Sequence, residues 1–262
     1  MDTKRGDTRV SIPNANQTTG SISCAQLTRF VVSNVANLTM PSQENAESLR
    51  KIRTKHVSQN GENVPKKVLI AYGSRYGSTA EIARAMADAL EKEGVDAQLL
   101  DLEQTKEKQW PSLASFDGLL VGSGIKIGRW TRQATKFLKT HADEIRTLKS
   151  KGLVVGVFVS CGLASTPGKH DEARQTYVEK TLNDVGIPGV VDVYDAFGGV
   201  YDLSPSSPMG FLDKRMLSMG AKQMSSDGVT VEQGERNDLR DWDQIRAFTE
   251  NFAQLVLSTG NA

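Results

Sequence analysis

The sequence predicts an α/β fold, in which helices cover both faces of a doubly wound, five-stranded parallel sheet of strand order 2-1-3-4-5, with an insertion after strand five. From residue 66 onward, apolar runs alternate with amphipathic helical segments, which is the pattern of repeated βα units. Two of these runs, 118–122 and 153–159, are apolar throughout, as expected for strands that are covered on both faces. Segments rich in glycine and serine follow the first, third and fourth runs, at the strand ends where such sheets bind ligands.

Five short runs rich in aliphatic and β-branched residues are predicted to be the strands. They are residues 68–72, 97–102, 119–123, 153–160 and 190–194. Because helical or loop sequence separates each run from the next, the strands are joined by crossovers, which are right-handed by default in parallel sheets.

The helices are predicted from apolar residues spaced three and four positions apart. The first helix ends at Gly94, a glycine that suits a C-terminal cap. The second runs from Thr131 to about residue 148, and the third stops before residue 186. The last helix begins at Asp241, an N-cap residue with Gln244 three positions on.

Composition excludes several classes of protein. The chain has 262 residues, of which 38% are hydrophobic and 24% charged, and its formal net charge of +1 gives no global field to recruit nucleic acid. No apolar run approaches the ~20 residues that span a bilayer, so membrane contact is expected to be peripheral at most. The two cysteines, Cys24 and Cys161, predict neither a disulfide framework nor a metal site, which favours a reducing, cytoplasmic location.

Residues 1–64 differ in composition from the rest of the chain. Residues 1–43 are rich in serine, threonine and asparagine and show no clear period, a short helix is expected at 45–52, and residues 58–65 are linker-like. We expect a largely disordered extension here and a folded domain over residues 65–262, with an insertion at 197–240. A start at Met40 and a targeting segment are the alternative interpretations of the extension.

The turn after the first predicted strand, GSRYGST at residues 73–79, is the most informative segment. It leads directly into a helix, and the free amides of a helix N-terminus together with hydroxyls bind phosphate. The turn lacks the lysine of a triphosphate-binding loop and the spacing of G-x-G-x-x-G. It therefore favours a single terminal phosphate such as that of FMN, with Arg75 as a counter-charge. An ordinary hydroxyl-capped turn is the alternative.

These loops on this strand pattern resemble those of the flavodoxin-like family, over about residues 66–257. In that family the first loop binds the phosphate of FMN, and the loops after strands three and four enclose the isoalloxazine ring. The resemblance implies that the phosphate is held by Ser74, Arg75, Tyr76, Gly77, Ser78 and Thr79. It implies that one side of the ring is lined by Gly124, Ile125, Lys126, Ile127, Gly128, Arg129 and Trp130, and the other by Ser160, Cys161, Gly162 and Leu163.

The bound flavin is expected to carry the chemistry, so no side chain is assigned a catalytic role. Trp130 is expected to stack on the ring, with packing at the start of the second helix as the alternative. Lys126 and Arg129 are expected to favour the anionic reduced ring or to contact a substrate carboxylate, unless they are solvated surface charges. Cys161 is interpreted as a small buried residue without a redox role.

Within the family, segments 124–130, 137–142 and 197–240 are similar to the flavodoxin-type protoporphyrinogen dehydrogenases that pass electrons to menaquinone. In the last segment Met209, Leu212, Met216 and Met219 recur at helical spacing among basic residues. Such a helix can dock on a flat apolar ligand or a membrane surface, or it can complete the domain core. Tyr201 and Phe211 are candidates for the wall of a substrate site.

The resulting hypothesis is an FMN-dependent oxidoreductase that dehydrogenates a porphyrinogen-like substrate and passes electrons to a quinone or another redox partner. One alternative is a flavodoxin-like electron carrier without an organic substrate of its own. The net charge of +1 argues against that role, because the resemblance implies that such carriers are acidic. A scaffold that has lost its flavin is a further alternative, and the intact hydroxyls of the first loop argue against it.

Overall fold

The computed structural model describes residues 64–259, so the predicted N-terminal extension lies outside the described residues except for Val64. The main sheet consists of β1 (Lys67–Gly73), β2 (Asp96–Asp101), β3 (Gly118–Gly124), β4 (Val154–Ser160) and β5 (Val193–Phe197). All four pairings are parallel and the order is β2-β1-β3-β4-β5, as predicted.

Six α-helices occur within residues 64–259. They are α1 (Ser78–Lys92), α2 (Arg132–Lys149), α3 (His170–Ala173), α4 (Lys180–Asp184), α5 (Phe211–Ser226) and α6 (Trp242–Ser258). A π-helical stretch, Arg174–Glu179, joins α3 to α4, so this region is one interrupted helix.

Both faces of the sheet are covered, which explains the continuous apolar runs. On one face, α1 and α6 bury Ile82, Met86 and Phe252 against side chains of β1 and β4. On the other face, α2 and the interrupted helix bury Phe137 and Val178 against β3 and β4. Because β3 and β4 lie between these two cores, nearly every residue in them is buried.

Gly94 and Asp241 form the predicted caps, and Thr131, predicted as the start of α2, is its N-cap. Gly94 follows α1 with a φ of 81°, the left-handed conformation that favours glycine. The side chain of Thr131 accepts a hydrogen bond from the Ala134 amide at the start of α2. The Asp241 side chain accepts hydrogen bonds from two amides, of which one belongs to Gln244, at the start of α6.

The fifth strand begins three residues later than predicted, at Val193 instead of Val190. Val190 and Val191 are partly buried but precede the strand. Asp195 lies within the strand, where Gln244 donates a hydrogen bond of 3.0 Å to its carboxylate. Because Asp195 interrupts the apolar run, the sequence pattern placed the strand too early, at the preceding valines.

The insertion after β5 forms a small subdomain. Its strands, β6 (Val200–Asp202) and β7 (Arg236–Asp238), are antiparallel, and α5 lies between them in the chain. Ala221, Met224 and Val231 form a minor core beneath α5. Within residues 64–259, no helix combines the length and the apolar character that crossing a membrane requires.

Candidate functional site

The carboxyl ends of three strands lie level with one another and open on a single cleft. Gly73 at the end of β1 pairs with Ser123, and Gly124 at the end of β3 pairs with Ser160. The cleft lies where the strand order reverses between β1 and β3, which is the usual ligand site of doubly wound sheets.

The structure brings residues of all three predicted loops to this cleft. The predicted site residues that line it are Arg75, Tyr76, Ser78, Thr79, Gly124, Ile125, Lys126, Ile127, Ser160, Cys161 and Gly162. The remaining six do not line the cleft. Ser74 and Gly77 shape the first turn, Leu163 packs against the core, and Gly128, Arg129 and Trp130 line a neighbouring groove.

The first loop has the geometry of an anion site. Gly77 adopts a φ of 95°, and its amide donates to the hydroxyl of Ser74 at 3.1 Å. The Glu81 amide bonds to the Gly77 carbonyl at 2.9 Å, so the amides that precede it in α1 are directed out of the helix. These amides and Arg75 provide positive potential at one point.

Thr79 supplies the direct test of whether a phosphate fits. Its side chain is 1% exposed, and its hydroxyl oxygen has no hydrogen-bond partner among the described residues. Gly124 lies opposite, where an added Cβ would be 2.9 Å from that oxygen. Since a buried hydroxyl without a partner is costly, the donors of this loop fit an anionic group such as the phosphate of FMN.

The third loop is a tight hairpin turn at the edge of the cleft. Lys126 and Arg129 exchange two backbone hydrogen bonds, of 3.0 and 3.1 Å. Ile127 and Gly128 between them both have positive φ, of 50° and 69°, as in a type I′ turn. Ile127 is a β-branched residue in a strained conformation, and it is 72% exposed.

A charged cluster joins this turn to the first loop and to the insertion. The Lys126 ammonium lies 2.6 Å from a carboxylate oxygen of Asp213 in α5 and 2.9 Å from the hydroxyl of Tyr76. Tyr76 also donates to Asp213. Hydrogen bonds with Asp213 and then Tyr76 raise the pKa of Lys126, and hydrogen bonds with Lys126 and then Tyr76 lower the pKa of Asp213. The charge of Lys126 is therefore balanced by Asp213.

The fourth loop places an uncharged thiol beside the cleft. Cys161 is 5% exposed, and burial raises the pKa of its thiol to about 11. Tyr201 of β6 packs on the next residue, since a Cβ at Gly162 would be 2.0 Å from the Tyr201 hydroxyl oxygen. Burial, followed by the proximity of Cys161, raises the pKa of Tyr201. Both groups are therefore neutral at physiological pH.

Trp130, which we expected to stack on the ring, lines the neighbouring groove and not the cleft. The residue is 6% exposed, and its indole N–H donates to the carbonyl of Tyr177 at 2.5 Å. It belongs to the core between the sheet and α2. Its position fits the alternative interpretation, packing at the start of α2.

The insertion supplies the outer wall of the cleft. Tyr201, Met209, Met216 and Leu217 line it opposite the strand-end loops. Leu212 and Met219 are 74% and 65% exposed, so the helical row of apolar residues is divided between the cleft and the surface. Met209 is 8% exposed, as the core alternative expects, whereas Leu212, Met216 and Met219 are exposed. Phe211 is 78% exposed and does not line the cleft, so the expectation that it forms part of the wall is wrong.

Sequence reasoning missed the residue that fastens the insertion to α1. Arg240 is 7% exposed, donates to the Ser78 carbonyl at 3.0 Å, and pairs with Glu81 at 2.6 Å and Asp238 at 2.5 Å. Burial alone would raise the pKa of Glu81, but hydrogen bonds from Arg240 and then Arg236 outweigh it and lower the pKa. The only signal for Arg240 in the sequence is the dense alternation of charged residues over 235–243.

Comparisons with known proteins agree with this geometry. A family model described as flavodoxin domain matches residues 69–228. Protoporphyrinogen IX dehydrogenase [quinone] of Escherichia coli (strain K12) is 29% identical over 117 residues, which cover 44% of this chain and 60% of that protein. NAD(P)H dehydrogenase (quinone) of Afipia carboxidovorans is 26% identical over 166 residues, which cover 55% of this chain and 80% of that protein.

Solved structures of similar proteins include a two-electron reduced flavodoxin of Megasphaera elsdenii. Its identity is 24% and its TM-score 0.34, with 49% of this chain and 84% of that chain covered. The matched part of this chain spans only about 60% of the length of the E. coli relative. The family model, in contrast, covers more than half of this chain and includes the three loops of the cleft. The chain therefore belongs to the flavodoxin domain family, and its cofactor is FMN.

Proposed function

We propose that this flavodoxin-like oxidoreductase dehydrogenates a flat, bulky, porphyrinogen-like substrate and passes the electrons to a quinone. The observation that carries the proposal is the wall built by the insertion. Tyr201, Met216 and Leu217 of the insertion line the cleft together with the strand-end loops. This wall gives the cleft an apolar surface beyond the loops that suit the cofactor, as expected for a protein that binds an organic substrate.

The shape and chemistry of the wall favour a planar apolar ligand. Methionine side chains are flexible and polarisable, so Met209 and Met216 adapt to a large ring, and Tyr201 adds an aromatic surface. An electron carrier requires no such wall. The E. coli relative that shares part of this sequence is named protoporphyrinogen IX dehydrogenase [quinone], which supports the choice of substrate and acceptor.

The residues of the cleft hold and enclose the reactants. When bound, FMN supplies the two-electron chemistry, and the first loop holds its phosphate. Cys161 and Tyr201 are held neutral by their raised pKa values, and Lys126 is paired with Asp213. These side chains orient the reactants and exclude water, and none of them is required to act as a base.

A second candidate function follows from the Afipia relative. That protein is named NAD(P)H dehydrogenase (quinone), so a nicotinamide nucleotide is the competing electron donor. Both candidates share the quinone as acceptor and differ only in the compound that is oxidised.

The test is anaerobic turnover of the FMN-loaded protein with menadione as acceptor. Protoporphyrinogen IX and NADPH are supplied in separate reactions, and porphyrin fluorescence or NADPH absorbance is followed against protein-free controls. We expect porphyrin formation to depend on the protein and on menadione. Turnover with NADPH alone would establish the second candidate, and turnover with neither donor would favour an electron carrier.

A pair of variants tests the role of the wall. Met216 lines the cleft, whereas Met219, one turn further along the helix, is exposed outside the lining. We expect Met216→Asp to lower kcat/KM for protoporphyrinogen by about tenfold or more, because it places a charge against the substrate. The matched control, Met219→Asp, is expected to change it less than about twofold. Equal effects of the two substitutions would contradict the proposed wall.

A further inference from the structure

A basic groove lies beside the cleft and shares an edge with it. The third loop, the first two turns of α2 and residues of α4 line this groove. Arg75, Lys126 and Ile127 line both the groove and the cleft, so the two adjoin at these residues.

The groove has more positive charge than its own side chains balance. Three of its lysines have carboxylate partners: Lys126 with Asp213, Lys136 with Glu107, and Lys180 with Asp184. Its remaining cations make no ion pair within the described part of the chain. These are Arg75, Arg129, Arg132 and Lys139. Among residues 64–259, Asp184 is the only carboxylate that lines the groove, and it is already paired with Lys180.

Two of these free cations are arginines placed together at the start of α2. Arg129 ends the hairpin turn and Arg132 is the first residue of the helix, and both are exposed. The guanidinium group binds carboxylates through two parallel hydrogen bonds, and the N-terminus of the helix adds to the positive potential. Lys139 lies seven residues beyond Arg132, about 10 Å further along the helix.

We infer that Arg129 and Arg132 bind the carboxylates of the substrate while its apolar ring system lies in the cleft. This inference rests on the proposed function. Protoporphyrinogen IX is an apolar tetrapyrrole with two propionate groups, so an apolar cleft that borders an unbalanced basic groove matches both of its parts. The groove then determines specificity, because it selects ring compounds that carry carboxylates over those that do not.

The test compares the free acid with its dimethyl ester in the FMN-loaded protein. The double substitution Arg129→Ala/Arg132→Ala is expected to raise the KM for protoporphyrinogen IX by about tenfold or more, since charge-assisted hydrogen bonds are lost. The KM for the dimethyl ester is expected to be high in the native protein and unchanged by the substitution. Arg129→Lys/Arg132→Lys is expected to recover part of the affinity, because charge remains but bidentate geometry is lost.

The matched control removes two exposed lysines that lie outside the groove. Lys92 precedes β2 and Lys151 precedes β4, so both lie near the amino ends of the strands. Lys92→Ala/Lys151→Ala keeps the same net charge as the arginine double variant and is expected to leave both KM values unchanged. A similar rise in this control, or an equal effect of the arginine substitutions on acid and ester, would overturn the inference. FMN affinity is measured for each variant, and Arg132→Ala alone replaces the double variant if FMN is lost.

A binding measurement separates this inference from the proposed function. Protoporphyrin IX is titrated into each FMN-loaded protein, and its fluorescence change gives Kd. If the native protein catalyses no turnover but binds the porphyrin acid, and the arginine variant binds it about tenfold less tightly, the proposed function fails and the groove assignment stands. If the arginine variant binds the porphyrin as tightly as the native protein does, or neither binds it, the groove assignment fails.

Discussion

The two walls of the cleft are built in different ways. On the strand-end side, Thr79 lies on the face of α1 that packs against the sheet, and Cys161 directly follows β4, which is buried throughout. On the insertion side, α5 leaves Phe211 and Leu212 78% and 74% exposed, and it reaches the loops through the polar contact of Asp213 with Lys126. The core of the sheet therefore positions the strand-end wall, whereas charged contacts attach the wall that the insertion supplies.

Under the proposed function, this difference separates the stability of the fold from the choice of substrate. A change in the first loop acts on cofactor binding within a framework that the packed sheet already fixes. A change at the partly exposed contact of α5 with the third loop acts on a polar interaction that costs little to rearrange, and it leaves the five strands intact. The following predictions test this separation, starting with the largest expected effect.

Removal of the hydroxyls of the first loop is expected to weaken FMN binding without loss of stability. Ser78→Ala/Thr79→Val removes two donors to a charged phosphate, so we expect the Kd for FMN to rise about 100-fold, or roughly 3 kcal/mol. Because the Thr79 hydroxyl is buried without a partner in the described structure, the FMN-free variant should unfold at no lower temperature than the native apoprotein.

Fluorescence titration of apoprotein with FMN measures the first effect, and thermal unfolding the second. Thr147→Val, at an exposed threonine on α2, is the control and should change neither quantity. An unchanged Kd for the double variant would show that the first loop does not hold the phosphate.

Removal of the buried guanidinium is expected to destabilise the attachment of the insertion. Arg240→Ala breaks the contacts with Glu81, Asp238 and the Ser78 carbonyl, and we expect it to lower the free energy of unfolding by about 2 kcal/mol. The value lies at the low end for a buried ion pair because the Glu81 side chain is 40% exposed. Arg246→Ala, at an exposed pair, is the control and should cost about 0.5 kcal/mol or less by urea unfolding.

The polar contact of α5 is expected to depend on pH in one direction. The pKa of Asp213 lies below its ordinary value of 3.8 because of Lys126 and then Tyr76. The contact therefore stabilises α5 fully above that ordinary value and is lost as the pH falls through the lowered pKa of Asp213.

Amide hydrogen exchange, corrected for intrinsic rates, measures this contact. We expect protection of α5 to be constant from about pH 7 to 5 and to fall below about pH 4. Asp213→Asn should show the reduced protection of α5 already at neutral pH, with no change in the strands of the sheet. Loss of protection in β1 and β3 of that variant would contradict the separation of the two walls.

The smallest effect is expected at the strained turn. Ile127→Asn is expected to raise the free energy of unfolding by about 0.5–1 kcal/mol, because asparagine adopts positive φ more readily than a β-branched residue. Ile127→Val keeps the strain and is the control, with little change expected. Equal stability of the two variants by urea unfolding would show that the turn is not strained.

Local sequence was sufficient for the parts of the fold that depend on local chemistry. The caps at Thr131 and Asp241 follow from hydrogen bonds within three residues, and the buried strands follow from runs with no polar interruption. The fifth strand was predicted too early because it contains Asp195. The carboxylate of Asp195 accepts a hydrogen bond from Gln244, 49 residues away, which allows it within the strand. No window of a few residues contains both members of that pair.

The same reason explains what was missed in the candidate site. The indole of Trp130 is committed to the Tyr177 carbonyl, 47 residues away, so the residue packs in the core instead of facing the cleft. Arg240 is separated by 159 residues from Glu81, the carboxylate that holds it beside α1. The first loop could be predicted without a distant partner, because its strand end, glycine turn and helix start all lie within one short segment.

The raised pKa of Cys161 has a consequence for the lifetime of the protein. With a pKa of about 11, only on the order of one thiol in ten thousand is ionised at pH 7, and the thiolate is the form that peroxides and alkylating agents attack. Reduced FMN forms peroxide when oxygen is present. Because it is protonated, the Cys161 thiol beside this cleft resists the peroxide formed each time the cofactor is reoxidised.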